Sequence, residues 1–560
     1  MNILKRNLAI LLVFFVAFSA AGQDADKRAA EAIDQYLKEK FPATEPGASV
    51  LVVHAGKELV RKGYGLADIS AKTSNDPETI FRIGSITKQF TSTAILKLAQ
   101  EGKLKLEDEI IQYLPDYPTR GKKITITHLL QHTSGIRSYT SLPQIMNKET
   151  KAKAFAVKEM IDAFKDQPAD FNPGEEYRYN NSGYYLLGAI VEKASGMTWG
   201  AYLQKNFFKP LKMKSTFTDD KNLSGAARGY VKTSGTEFGL ADYVHPMVPY
   251  AAGAIFSTVD DLWKWNQAVF SNAVVRQEWL DKAWTPLVLN DGAKQSYGFG
   301  WQLGRLGDSR VIGHGGGIDG FLSFSMYVPD QKIYVAVLAN SMTISPEDIA
   351  YRLASLTAGL SAEPPAAIAL EDSKLDQYVG VYKINNNEDR VISKEGSQLY
   401  SQRTGGPKYE IYAYGEDAFF FKESPSRLKF KRNTKGAIEA IEMTGREYIN
   451  QVATRTNKAM PTARKAIKVD LSLYDQYAGD YELAAGFIIT VRKEGEKLMA
   501  QATGQGAFEI FPESETKFFY TVVDAQIEFF KEGGKVSSLT LYQGGRTLPG
   551  KKLGEPAGQK

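Results

Sequence analysis

Hydrophobic residues recur along this chain with two periods, and the change from one to the other marks its organisation. Near the start, residues 48–53 and 59–64 are strand-like runs on either side of Ala55-Gly56, and much later 321–328 and 333–340 flank Pro329-Asp330 in the same way. Both read as β-hairpins. Between them the spacing lengthens to three and four. Phe90, Ala94, Ile95 and Leu98 follow Ser85 on one face of a helix that stops by Gly102, and helical patterns dominate from Ser85 to Phe270. This order predicts an α+β domain whose antiparallel sheet is built from both ends of the segment, with a helical lobe closing over it.

The helical stretch gives way at Ser361-Ala-Glu-Pro-Pro-Ala-Ala, and beyond it apolar and polar residues alternate between glycine turns. This part repeats itself at a constant offset of 99 residues: Leu375-Asp-Gln-Tyr378-Val-Gly380-Val-Tyr382 matches Tyr474-Asp-Gln-Tyr477-Ala-Gly479-Asp-Tyr481. Lys394-Glu-Gly396 likewise matches Lys493-Glu-Gly495, and Leu399, Gln402, Gly405 and Glu410-Ile411 match Leu498, Gln501, Gly504 and Glu509-Ile510. Two copies predict paired antiparallel β domains, not a solenoid, each closing into a barrel to remove its edge strands. Small barrels have interiors just wide enough for side chains, so filled structural barrels are expected in preference to lipocalin-like cavities. The expected divisions are a leader at 1–21, a first domain at 22–362, and β domains at 369–458 and 468–560.

The leader expectation comes from Met1-Asn-Ile-Leu-Lys5-Arg6, a fourteen-residue apolar run from Leu8 to Ala21, and small residues at Ser19-Ala-Ala21. That pattern is a secretory signal, too short for a membrane span, and it predicts an exported protein, periplasmic or secreted. The chain has no cysteine, so its fold is held by its core without disulfides. Without Lys5 and Arg6 the formal charge falls from +5 to +3. So slight an excess, with no basic clustering, argues against a nucleic-acid partner. No later segment is long and apolar enough to be a transmembrane helix, and nothing in the sequence specifies an assembly.

Three short motifs carry the chemistry: Ser85-Ile-Thr-Lys88, Tyr179-Asn-Asn181 and His314-Gly-Gly316. The S-x-x-K pattern also occurs at Ser426 and Ser514, but only Ser85 opens a helix. There, unpaired N–H groups and the positive end of the helix dipole favour negative charge developing at its oxygen, and Lys88 projects from the same face. Tyr179 and Asn181 fall in a loop before an apolar helix. A phenol, with a pKa near ~10, becomes a useful base only beside a cation, which Lys88 could supply. V-I-G-H-G-G-G-I-D-G-F reads as the start of a strand with almost no side chains, and its glycines allow close backbone approach to a ligand. Taken singly, these motifs are also explained by a helix N-cap, an aromatic at a helix start and a flexible turn.

Together, in this order, they resemble the serine β-lactamase-like superfamily, which contains class C β-lactamases, D,D-carboxypeptidases, D-aminopeptidases and esterases. The segments at 124–136, 252–262, 297–301 and 337–341 look like further landmarks, so that the resemblance spans roughly 28 to 360, and the two appended barrels are similar to a D-aminopeptidase-type architecture. The resemblance implies Ser85 as nucleophile and Lys88 with Tyr179 as the proton-handling pair. It further implies Asn181 holding Lys88 and substrate, His314 facing Tyr179, and the backbone N–H groups of Ser85 and Gly317 as the oxyanion hole. It implies hydrolysis of an ester or amide in a small molecule or peptide, cell-wall fragments among the candidates, with no cofactor and no metal. Alternatives are a D,D-carboxypeptidase, a β-lactamase, or a slowly deacylating receptor for penicillins or muropeptides.

One departure bears on substrate. β-Lactamases of this type usually carry Lys-Thr-Gly where this chain has His314-Gly315-Gly316, and the missing charge and hydroxyl are groups suited to a substrate carboxylate. Competing constellations are weak. There is no G-x-S-x-G elbow. His128 and His132 stand four apart without an accompanying base and read as structural. Ser257-Thr258-Val-Asp260-Asp261 reads as a capping box and Glu175-Glu176 as a solvated turn.

Overall fold

The computed structural model describes residues 24–560 except 222, 235–236, 361–363, 386–387, 423, 462–463, 485–486, 504, 544–545 and 555–560. The leader at 1–21, linker residues 361–363 and Gly504 of the repeat lie outside the described residues. The chain forms two compact units, one holding the residues up to 362 together with Arg446–Ile449, the other Glu363–Gly445 and Asn450–Lys560.

The first unit is built on a six-stranded antiparallel sheet. In hydrogen-bonded order its strands are Gln302–Leu306, Ser309–Ile318, Phe321–Val328, Ile333–Ala339, Ala48–His54 and Lys57–Tyr64. Both expected hairpins are present, and the pairing of Ala48–His54 with Ile333–Ala339 joins the two ends of the segment. Every residue of Ile333–Ala339 is buried because both faces are covered, and alternate residues serve opposite cores. Tyr334, Ala336 and Leu338 pack with the helical lobe. Val335, Val337 and Ala339 pack on the other face with Ile33 and Leu37, and with Ile349 and Leu353 of the helix Pro346–Thr357.

The glycine-rich third motif lies in a strand as expected, within Ser309–Ile318, which pairs residue for residue with Phe321–Val328 across Asp319-Gly320. One expectation is corrected here: Thr258 is not part of a reciprocal capping box. Its side chain accepts from the Asp261 N–H, but the Asp261 carboxylate turns to the Ser215 N–H and the Thr216 hydroxyl, while Asp260 pairs with Arg61.

The second unit contains two closed eight-stranded antiparallel barrels, Gly380–Lys383 to Gln451–Arg455 and Gly479–Ala484 to Arg546–Gly554. Each closes first strand on last, Tyr382 opposite Arg455 and Tyr481 opposite Lys552. Each has a buried tyrosine, Tyr378 or Tyr477, whose carbonyl accepts a 2.7 Å hydrogen bond from the hydroxyl of Tyr382 or Tyr481. The expectation that both are filled fails for the first barrel, which holds a cavity of about 600 Å³. The residues responsible are taken up below.

Candidate active site

Ser85 lies in the single 3-10 turn Gly84–Ile86 that runs into the helix Thr87–Gln100. Gly84 has φ +50°, and a Cβ there would stand 2.7 Å from the Gly317 nitrogen. Only glycine tolerates both the conformation and the contact. The absent side chain lets the strand Ser309–Ile318 lie directly against the turn, bringing the Gly317 backbone beside Ser85. Gly316 serves the same approach: a Cβ would meet the Ile83 carbonyl oxygen at 2.0 Å.

Lys88 is fully buried one turn into the helix. Its Nζ lies 3.0 Å from Ser85 Oγ, 2.8 Å from Asn181 Oδ1 and 2.8 Å from the Ala252 carbonyl oxygen. Burial holds its pKa well below the ordinary lysine value. Two of the three partners can only accept. A neutral amine gives them its two N–H groups and keeps its lone pair for the Ser85 hydroxyl. Asn181 begins the helix Asn181–Ser195, and its amide is oriented by donation from Nδ2 to Thr140 Oγ1 at 3.3 Å.

The Tyr179 hydroxyl is near enough to Ser85 for the serine to favour its charged form, and its ring lies 4.8 Å from Lys88 Nζ. About 37% of Tyr179 is exposed, yet the packing around its hydroxyl raises the phenol pKa. Burial disfavours charge on both groups, which favours a protonated phenol beside an amine that loses its proton easily.

His314 stands 6.1 Å from Tyr179, ring centre to ring centre, but its polar partners lie elsewhere. Nδ1 is 2.6 Å from the Gly315 carbonyl oxygen, which can only accept, so the proton sits on Nδ1 and Nε2 accepts from the Tyr297 hydroxyl at 3.0 Å. Burial, reinforced by Lys88, pushes the His314 pKa down to about 3. His314 is thus a neutral wall of the site and supplies no charge for a substrate anion.

Several residues of the site had only weak sequence signals. His132 accepts from the Asn180 N–H at 3.0 Å and packs against Tyr179, Tyr184 and Tyr297 at ring distances of 4.4, 5.1 and 4.8 Å. It fixes the Tyr179 loop from a position 47 residues earlier in the chain. The landmark at 297–301 supplies Tyr297, and Gly300 lies so close to the lysine turn that a Cβ would meet the Lys88 carbonyl oxygen at 2.6 Å. Glu447, in the Arg446–Ile449 segment of the first unit, lies near enough to Tyr177 to raise its pKa further, and burial raises its own. Among the described residues, no group of three or more His, Asp and Glu is placed to hold a metal, and no helix is long and apolar enough to cross a membrane.

A serine, a buried lysine one turn on, a tyrosine against that serine and a glycine strand alongside it, set between an antiparallel sheet and a helical lobe, define a serine hydrolase of β-lactamase type. The Beta-lactamase family model matches residues 31–359, and the chain belongs to that family. A domain of unknown function (DUF3471) matches twice, over 364–456 and 463–552. Penicillin-binding protein 4* of Bacillus subtilis is 28% identical over 410 residues, covering 68% of this chain and 89% of that protein. Protein flp of Staphylococcus aureus is 33% identical over 313 residues, covering 53% and 59%. Among solved structures, the octameric penicillin-binding protein homologue of Pyrococcus abyssi superposes with a TM-score of 0.54 at 23% identity, over 76% of this chain and 99% of that one. The D-amino acid amidase of Ochrobactrum anthropi gives 0.52 at 23%, over 60% and 99%. At these identities the two structures speak for the fold alone.

Proposed function

We propose that this chain is an exported hydrolase of esters or amides, of D-aminopeptidase or esterase type, working through an acyl-enzyme on Ser85. The observation that carries the proposal is the buried Lys88 Nζ, its pKa lowered by burial, at 3.0 Å from Ser85 Oγ. In the mechanism, Ser85 Oγ bonds to the substrate carbonyl carbon as its proton passes to Lys88. The carbonyl oxygen takes the negative charge and is held by the N–H groups of Ser85 and Gly317. Collapse expels the amine or alkoxide, which receives the proton through Tyr179, and water then attacks the acyl-enzyme by the same groups in reverse.

Substrate preference follows from the third motif. A neutral His314 followed by Gly315 provides neither the charge nor the hydroxyl to grip a carboxylate, and the Glu447 carboxyl lies near enough to Tyr177 to raise its pKa. Both support substrates without a carboxylate next to the scissile bond. The fold shared with a D-amino acid amidase puts D-amino acid amides first in a panel with short-chain esters, muropeptides and penicillins. Relative kcat/KM for pairs differing only in that carboxylate tests the proposal, and a preference for the carboxylate partner defeats it. The 28% identity to a penicillin-binding protein favours, as the second reading, a D,D-carboxypeptidase or a slowly deacylating receptor. A receptor would release one equivalent of leaving group and then stop.

A further inference from the structure

The two barrels share strand order, register and plugging tyrosines, so their inward positions can be compared one for one, and the comparison separates them. Arg390 faces Tyr382 across the first strand pair, where Ile489 faces Tyr481 in the second copy. Arg403, opposite Arg390, corresponds to Ala502, and Ser401 to Ala500. Ser426 corresponds to Ala525, and Gln451, counted back from Arg455 and Lys552, to Leu548. In the second copy these positions belong to, or pack on, one continuous apolar core. In the first they surround the 600 Å³ cavity or bond the group at its floor.

That group is Arg390, only 6% exposed. Nη1 donates to Ser401 Oγ at 2.9 Å and Nη2 to Gln451 Oε1 at 3.1 Å, while its buried Nε has no partner. Among the described residues no carboxylate comes within ion-pairing distance of it. The nearest opposing charge that acts on it is Glu388, which is itself paired with Arg403 at 2.5 Å. Burial, with Arg403 as a like charge across the strand, lowers the Arg390 pKa to about 10. A buried guanidinium with an unmet donor is costly unless an anion completes it, and the second copy carries isoleucine at the matching position. The cavity walls add Tyr409, Phe421 and Met443, and Lys408, Lys422 and one carboxylate, Glu410, also line it, Lys408 being paired with Glu395. Cations outnumber that carboxylate in the lining and attract an anion, and an apolar wall holds what it carries.

We propose that the first barrel is a binding site for a small amphipathic carboxylate, its head on Arg390 and Ser401 and its apolar body against Phe421, Met443 and Tyr409. The second barrel is its filled structural counterpart. The test uses the full chain and titration calorimetry with decanoate, decanol and decyltrimethylammonium. Decanoate is expected to bind one per chain, at least about tenfold tighter than decanol, as a charge-assisted hydrogen bond implies, with the cation weakest. Arg390→Ile, which installs the second copy's residue, should reduce the preference over decanol to below about threefold. If that variant does not fold, the acid–alcohol comparison on the unaltered protein decides. Equal or tighter binding of decanol, no binding of decanoate at millimolar concentration, or an undiminished preference in folded Arg390→Ile would each overturn the proposal.

Discussion

Lys88 makes the sharpest prediction, because its environment dictates which protonation state does the work. As a base it acts only when deprotonated, so acylation should rise with pH through its folded pKa and level off above it. Burial places that pKa well below 10.5, while burial raises that of Tyr179 above 10. A rising limb well below the ordinary lysine range therefore belongs to the lysine, and one above the ordinary phenol value to Tyr179. Lys88→Met keeps the stem and removes the amine. Loss of a positioned general base costs about 10²–10⁴-fold in rate, roughly 3–5 kcal/mol of barrier. The Asn181 and Ala252 oxygens each lose a donor, at about 1–3 kcal/mol apiece, offset by no longer burying an amine, so a folded protein is expected. The assay is stopped-flow kcat/KM for an activated acetate ester between pH 5 and 10.5. Tyr179→Phe should lower the plateau by ~100-fold yet keep the limb in place. Near-wild-type acylation in folded Lys88→Met, or a limb above pH 10 that vanishes in Tyr179→Phe, would refute the assignment of the base.

Further outcomes follow from the same geometry. Gly316→Ala forces a Cβ within 2.0 Å of the Ile83 carbonyl oxygen and 2.3 Å of Ser323 Oγ, so kcat/KM should fall by ~100-fold with about 1–3 kcal/mol of stability lost to overpacking, checked by kinetics and urea melts. Wild-type behaviour would mean that this strand does not set the Ser85 turn. Exchanging His314→Lys with Gly315→Thr, where a Cβ meets the Phe324 ring at 3.3 Å and the ring must give slightly, should favour carboxylate-bearing substrates by about 1–3 kcal/mol in kcat/KM. A chain ending near Ser361 should fold and cleave a small ester, but with a lower Tm, because it loses the Arg446 carbonyl that accepts from the Arg305 N–H at 2.7 Å and the Ile449 N–H that donates to Ser296 Oγ at 2.8 Å. An unfolded product would show that Arg446–Ile449 is needed to complete the first unit.

What the sequence revealed depended on whether a signal was periodic and local. The hairpins around Ala55-Gly56 and Pro329-Asp330 were legible because β-branched runs flank turn residues, and the barrels because two copies repeat at one offset. Only the start of a strand was legible at Ser309–Ile318, because glycines at 313 and 315–317 erase the alternation by which strands are recognised. Ser85, Lys88, Tyr179, Asn181 and His314 stood out by motif; Lys88 lies against Ser85 and Asn181, and Tyr179 between Lys88 and His314. The Ala252 carbonyl that holds Lys88 is backbone, and no side-chain pattern announces it. His132 was set aside with His128 as structural because its contacts with Tyr179 and Tyr297 are long-range. Arg446–Ile449 carries no mark of belonging to the first unit. The open first barrel, by contrast, had a readable signal: Arg390 against Ile489 and Ser401 against Ala500 are polar-to-apolar exchanges at inward positions of the repeat.

The central claim is that Ser85 forms the acyl-enzyme. Intact-mass measurement after treatment with a fluorophosphonate, followed by peptide mapping, tests it most directly. One adduct per chain on the peptide containing Ser85, absent from folded Ser85→Ala, is the predicted result. An adduct on Ser426 or Ser514, or unreduced labelling of Ser85→Ala, would contradict it.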